Sequence, residues 1–143
     1  MKKVSDIMTG RIEFMKPENT LRQAADRMKA LRVGVMPILE NNEPMGIITD
    51  RDIVVRAIAD GKNPMDTQIK DIMTRDLLFV NQDDTVDKAA DIMEENKVRR
   101  LLVRDGKNQV VGIMSLGDIA VNTDNRITGE ALTEISKPAK PQR

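Results

Sequence analysis

Two short segments carry the residue types that could do chemistry. Gly46-Ile-Ile-Thr-Asp-Arg-Asp52 and Gly112-Ile-Met-Ser-Leu-Gly-Asp118 each read glycine, two apolar residues, a hydroxyl, two variable residues and an aspartate. The apolar pair reads as the end of a strand, and the hydroxyl stands where a helix begins. Helix N-termini leave N–H groups unpaired and attract anions, so Thr49 and Ser115 are placed to touch a phosphate. Asp52 and Asp118 follow about one turn later, where a carboxylate can accept hydrogen bonds from a ribose diol. The same spacing is close to a capping box, in which hydroxyl and carboxylate only satisfy backbone N–H groups. The two roles are compatible in one protein. Arg99 and Arg100 form the one local basic pair on an expected strand. They are candidates to neutralise a phosphate; the competing readings are a solvated edge or a salt bridge to the many nearby acids.

The rest of the composition narrows the chemistry. The 143 residues include no histidine and no cysteine. That removes the commonest general base, the commonest metal ligand and all thiol chemistry. No glycine-rich phosphate loop or carboxylate cluster replaces them, so neither an enzyme nor a cofactor or metal is expected. Lys plus Arg and Asp plus Glu number 23 each, so the net charge is zero. Non-specific nucleic-acid binding relies on an excess of positive charge. With two Phe and no Tyr or Trp, base stacking on aromatic rings is not available as a general device. A nucleic-acid partner is not expected, and any bound base must lie between aliphatic side chains and backbone. No apolar run approaches the roughly 20 residues of a membrane span, and no signal-peptide pattern is present. A cytoplasmic protein with no membrane partner is expected.

The elements that must position the two motifs repeat along the chain. Val4–Thr9 reads VSDIMT and Ile69–Thr74 reads IKDIMT. The same shift of 65 residues sets Ala24, Ala25, Asp26 and Met28 on Ala89, Ala90, Asp91 and Met93, and Val33 on Val98. One extra residue enters near Gly106, after which Gly46, Ile47 and Asp52 fall on Gly112, Ile113 and Asp118. A single inserted residue in a polar stretch is what a lengthened turn looks like. In each copy apolar residues at helical spacing follow a threonine N-cap, Thr20 or Thr85. The first copy then predicts strands over 35–39 and 45–48 with a turn at 41–44, and a helix from near Asp50 to Asp60, stopped by Gly61. The second predicts strands over 100–103 and 110–114 and a helix from about Ser115. The division expected is 1–61 for the first repeat, 62–68 for a polar linker, and 69–126 for the second repeat. Residues 127–143 hold a last helix, Ile127–Ile135 capped by Thr128, and a disordered tail from Lys137. A unit of about 60 residues is marginal alone, so two copies are expected to pack as one pseudo-symmetric α/β body.

These features together resemble a tandem CBS domain pair, or Bateman module. The resemblance rests on the DIMT openings, the helices TLRQAADRM and TVDKAADIM, the strands RVGVMPI and VRRLLV, and the endings GIITDRD and GIMSLGD. It covers about residues 4 to 121 and is to small bacterial proteins made only of such a pair, the hypoxic response type among them. The fold it implies is α/β (α+β), with two βαββα-type CBS repeats. The function it implies is regulatory: an adenine nucleotide (AMP, ADP or ATP) or another adenosyl compound binds in clefts between the repeats. Disc-shaped homodimers and an unknown protein partner are implied as well. By position, Thr49 with Asp52 and Ser115 with Asp118 contact phosphate and ribose, while Ile47 and Ile113 line the adenine. Thr85, Ala90, Val98 and Arg99 complete the Asp52 cleft; Thr20, Ala25, Val33 and Gly34 complete the Asp118 cleft. For the valines and alanines plain core packing is the competing reading. Gly34 stands where the second copy has Arg99, so the clefts are not equivalent, and Arg99 favours the Asp52 cleft. The competing function is a structural or interaction dimer with vestigial clefts.

Overall fold

The computed structural model describes residues 2–10, 12–122 and 125–136, with the side chains of 125–128 excepted. In chain order the elements are α1 (Val4–Ile7), β1 (Thr9–Gly10), α2 (Leu21–Leu31), β2 (Val35–Glu40), β3 (Glu43–Thr49), a π-helix (Asp52–Ile58) and a 3₁₀ turn (Ile69–Asp71). They continue with β4 (Phe79–Asn81), α3 (Val86–Asn96), β5 (Arg100–Arg104), β6 (Val110–Ser115), α4 (Leu116–Asn122) and α5 (Asn125–Ser136). They form two compact units, Ile12–Leu77 and Met1–Arg11 with Leu78–Arg143. The repeats exchange their openings: the first DIMT segment folds with the second copy, and the second DIMT segment with the first.

In the Ile12–Leu77 unit, α2 opens with a reciprocal capping box. The Thr20 hydroxyl accepts the Gln23 N–H at 3.2 Å, and the Gln23 side chain accepts the Thr20 N–H at 2.8 Å. Leu21, Ala24 and Met28 face the core. The polar 62–68 segment lies along this helix start: Leu21 N–H donates to the Thr67 carbonyl at 2.9 Å and Arg22 N–H to that of Pro64 at 3.1 Å. The linker thereby satisfies helix donors that would otherwise need water. β2 and β3 pair antiparallel. Their turn is tighter than expected: only Asn41 and Asn42 leave the ladder, both at positive φ, which asparagine tolerates. The sheet has two strands rather than a full set. Isolated bridges extend it on both sides, Met15 parallel to Ile38 and Thr74 antiparallel to Ile47.

The helix expected after β3 is present but wound differently. Asp52–Ile58 is a π-helix, with Ala59 N–H donating to the Val54 carbonyl at 2.9 Å, five residues back. Gly61, at φ 77°, follows it as the expected stop. Seven residues of apolar pattern are too few to separate the two windings by period.

The other unit shows the βαββα order completely: β4, α3, β5, β6, α4. Its sheet runs β1-β6-β5-β4, with β4 parallel to β5 and the other pairs antiparallel. The bridges of the first unit follow the same order, so the copies share one plan. Thr85 caps α3 by accepting the Lys88 N–H at 3.2 Å. Val4, Ala89, Met93, Val103, Met114 and Ile119 form the centre of the core.

α5 completes this core with fully buried Ala131. It starts at Asn125, three residues ahead of Thr128, so Thr128 lies within the helix and not at its cap. The expected disordered tail, Lys137–Arg143, lies outside the described residues. Where α5 meets α3, Glu94 faces Glu130 and Glu134 across a shallow groove with Gly129 and Thr133. Partial burial, then the charges of Asp91, Glu130, Glu134 and Glu95, push the Glu94 pKa upward. A raised carboxyl pKa favours the protonated form in the docked state. Its cost is fully present above that pKa and fades as pH falls through it. Hydrogen-exchange protection of α5 amides should therefore rise between neutral pH and the ordinary carboxylate range. Glu94→Gln should raise it at neutral pH and flatten part of that dependence; a Glu94→Gln protein with unaltered protection would count against the repulsion.

Candidate ligand-binding site

The two Gly-apolar-apolar-hydroxyl-x-x-Asp segments occupy the same place in their units, at the last strand and the first turn of the helix behind it. Their glycines have a steric reason. A Cβ on Gly46 would stand 2.6 Å from the Thr74 carbonyl oxygen, and one on Gly112 would stand 2.8 Å from that of Thr9. The DIMT segment passes directly over each glycine. Ile47 exchanges both backbone hydrogen bonds with Thr74, each at 2.9 Å, and Ile113 pairs with Thr9. The motif glycine and the DIMT opening are one device, which sequence reading had treated as two.

Both capping boxes form. Thr49 N–H donates to Asp52 Oδ2 at 3.1 Å, and Asp52 N–H to the Thr49 hydroxyl at 3.0 Å. Ser115 N–H donates to Asp118 Oδ2 at 2.8 Å, and Asp118 N–H to the Ser115 hydroxyl at 3.1 Å.

Beyond this the two carboxylates differ. Asp52 is 7% exposed and is the one buried charged residue among the described residues. The Thr74 hydroxyl lies 3.3 Å from both of its carboxylate oxygens. Arg56 Nη1 stands 3.7 Å from Oδ1 and also donates to the Met73 carbonyl at 3.3 Å. Asp52 is thus tied from two sides to the segment that covers its strand. Asp118 is half-buried, and among the described residues its Oδ1 has no hydrogen-bond partner. Asn122 takes the place of Arg56 and bonds the Asp118 backbone carbonyl instead.

Arg99 and Arg100 lie beside the open motif, in the same unit. Arg100 is the strand partner of Ser115, and the Arg99 carbonyl accepts the Leu116 N–H at 2.8 Å. Arg99, Arg100, Ser115, Leu116, Gly117, Ala120 and Leu132 line a groove of about 400 Å³. Both residues are exposed, and neither guanidinium has a hydrogen bond or ion pair among the described residues, so the acidic partners that one reading expected are not there. The first copy has Gly34 and Val35 in their places. A Cβ on Gly34 would stand 2.8 Å from Asp50 Oδ2, so a side chain there would require the exposed Asp50 carboxylate to swing aside.

The remaining candidates separate into exposed, capping and core positions. Val33 is 40% exposed, against the core reading, whereas Val98 packs on the core of its unit. Ala90 is buried in that core, as plain packing had suggested, and Ala25 is half-buried. Thr20 and Thr85 are engaged as N-caps. Among the described residues no group of three or more acidic side chains could hold a metal ion, and no helix is long and apolar enough to cross a membrane.

Comparison with known proteins places this geometry. The CBS domain family model matches residues 4–58 and 69–123. CBS domain-containing protein YhcV of Bacillus subtilis is 37% identical over 137 residues, spanning 95% of this chain and 96% of that protein. Hypoxic response protein 1 of Mycobacterium tuberculosis is 30% identical over 116 residues, 80% of each chain. A crystal structure of Hypoxic Response Protein I with two coordinated zinc ions superposes with a TM-score of 0.75 at 27% identity, covering 86% of this chain and 100% of that one. The CBS domain pair of protein MJ0100, solved with 5′-methylthioadenosine and S-adenosyl-L-methionine, matches with a TM-score of 0.75 at 28% identity, covering 85% of this chain and 94% of that one. With two family matches that take in both motifs, and the βαββα order around them, the chain belongs to the CBS domain family as a tandem CBS pair.

Proposed function

We propose that the protein is a regulatory sensor that binds an adenosine-containing ligand at the Ser115–Asp118 motif. The observation that carries this reading is that Arg99 and Arg100, with no hydrogen bond or ion pair among the described residues, line one groove with Ser115, whose backbone N–H is held by Asp118. A diol needs a free acceptor, and a phosphate needs uncommitted positive charge. Asp118 with Arg99 and Arg100 offers both. The adenosyl ligands bound by the MJ0100 pair support the same ligand class. The protein carries out no chemistry on the ligand in this reading; occupancy shifts the balance of conformations, and a protein partner reads the shift.

A homodimer belongs to the proposal. Val54, Val55 and Ile58 on the π-helix and Val121 on α4 stay exposed, Val121 at 81%. Symmetric pairing is the commonest way to cover such side chains. The same exposed residues, with Asp52 committed to its cap, favour the second reading, a structural dimer whose motifs are only helix caps.

A thermal-shift panel of AMP, ADP, ATP, S-adenosylmethionine and NAD, run with light scattering for the oligomeric mass, separates the two. A true ligand at 100 times its dissociation constant adds about 2.7 kcal/mol of stability and raises Tm by several degrees. A dimer with no shift from any compound would leave the structural reading standing alone.

A further inference from the structure

The Met65 thioether is unlike the others in the chain. Among the described residues six methionines are buried, Met8 and Met45 are half-buried, and Met65 alone is exposed, at 57%. Its backbone is nevertheless fixed. Met65 N–H donates to Asn63 Oδ1 at 2.9 Å, and the Thr67 hydroxyl and N–H both donate to the Asn63 carbonyl, at 2.8 and 3.0 Å. The asparagine thus folds the segment into a turn around Met65. The Pro64 carbonyl before it and the Thr67 carbonyl after it accept the Arg22 and Leu21 N–H groups at the start of α2. Arg22 adds a side-chain contact: Nη1 donates to Met65 Sδ over 3.9 Å, while Nε donates to Asp26 Oδ1 at 3.1 Å. A thioether is a weak acceptor. Its sulfoxide is polar and presents an oxygen to the same guanidinium.

We propose that Met65 is a reversible oxidation site, at which hydrogen peroxide sets a polar clamp between the 62–68 segment and α2. The sulfur lone pair attacks one peroxide oxygen. The S–O bond forms as the O–O bond breaks, and the second oxygen leaves as water with both protons. Sulfur gives up two electrons and the peroxide takes them. The new oxygen then accepts from Arg22, where sulfur accepted weakly. A thiol-dependent methionine sulfoxide reductase reverses the mark: two thiols become a disulfide, and the oxygen leaves as water. No residue of the two hydroxyl-x-x-Asp motifs takes part, so the inference stands apart from the adenosine-ligand reading.

Limited treatment of the full chain with hydrogen peroxide, followed by peptide mass spectrometry and hydrogen exchange, tests it. Met65 should take up one oxygen before any other described methionine. Exchange of the Leu21 and Arg22 amides should then slow roughly 1.5-fold to fivefold, the range typical of an exposed charged pair. Reductase treatment should restore the original rates. Met65→Gln, with an acceptor built in, should slow exchange without peroxide, and Met65→Leu should make it insensitive to peroxide. Arg22→Ala should oxidise at Met65 as before and show no slowing. Earlier oxidation of Met8 or Met45 would overturn the site. Full oxidation of Met65 with unaltered exchange, or the same slowing in the Arg22→Ala protein, would overturn the clamp.

Discussion

Replacing Asp52 with alanine is expected to destabilise the Ile12–Leu77 unit by about 2–4 kcal/mol. As a helix cap alone, the residue would account for about 1 kcal/mol. Its carboxylate does more: it accepts the Thr49 N–H, faces the Thr74 hydroxyl at 3.3 Å through both oxygens, and lies 3.7 Å from Arg56. Hydrogen bonds to charged groups contribute roughly 1.5–3 kcal/mol, and a buried donor left unpaired costs more than one returned to water. The sum stays moderate because Arg56 and Thr74 are partly exposed and can recover water. Asp52→Asn keeps the shape and one acceptor, so it should lose about half as much. Urea unfolding gives the total. Hydrogen exchange in Ile69–Thr74 should show where it falls, since that segment is what Asp52 holds. A loss below about 0.5 kcal/mol in Asp52→Ala would mean that the contacts to Thr74 and Arg56 contribute nothing.

This expectation reverses the preference drawn from sequence, which took Asp52 as the better ligand residue because Arg99 was available to its cleft. The duplication, both N-caps, the hairpin and the motif's place between strand and helix were all legible, because each rests on local pattern. The hairpin turn shows the limit of local pattern. Asn41 and Asn42 announce it, but Pro44 suggested a longer loop, and only the pairing with Leu39 shows that it sits in the ladder. The exchange of DIMT segments was not legible. Four residues with no period do not say which sheet they cross, and β1 is only two residues long. The difference between the two aspartates was half visible. Arg56 against Asn122 can be read from the aligned repeats, but Thr74 reaching back to Asp52 depends on tertiary placement. Leu132 lay outside the repeat altogether, and no spacing rule connects it to Ser115.

Asp118→Ala is expected to reduce nucleotide affinity roughly tenfold to a hundredfold and to leave the unliganded protein nearly as stable as before. The carboxylate has one committed contact, the Ser115 N–H at 2.8 Å, and its loss costs about 1 kcal/mol as a helix cap. Its other oxygen is free among the described residues, so a ribose diol can bond it without displacing a protein donor. At Asp52 the same diol would have to displace Thr74 from a carboxylate that is 7% exposed, and part of its binding energy would go to breaking that contact. The two substitutions should therefore separate: Asp52→Ala acts mainly on folding, Asp118→Ala mainly on binding. Calorimetry on both proteins, at a temperature where each is folded, reads the difference directly. If Asp52→Ala, still folded, abolishes binding while Asp118→Ala leaves it unchanged, then the closed cap opens to admit ligand and the open one does not. If neither changes affinity, hydroxyl and aspartate in this family member serve only to start their helices and to hold the DIMT segments in place.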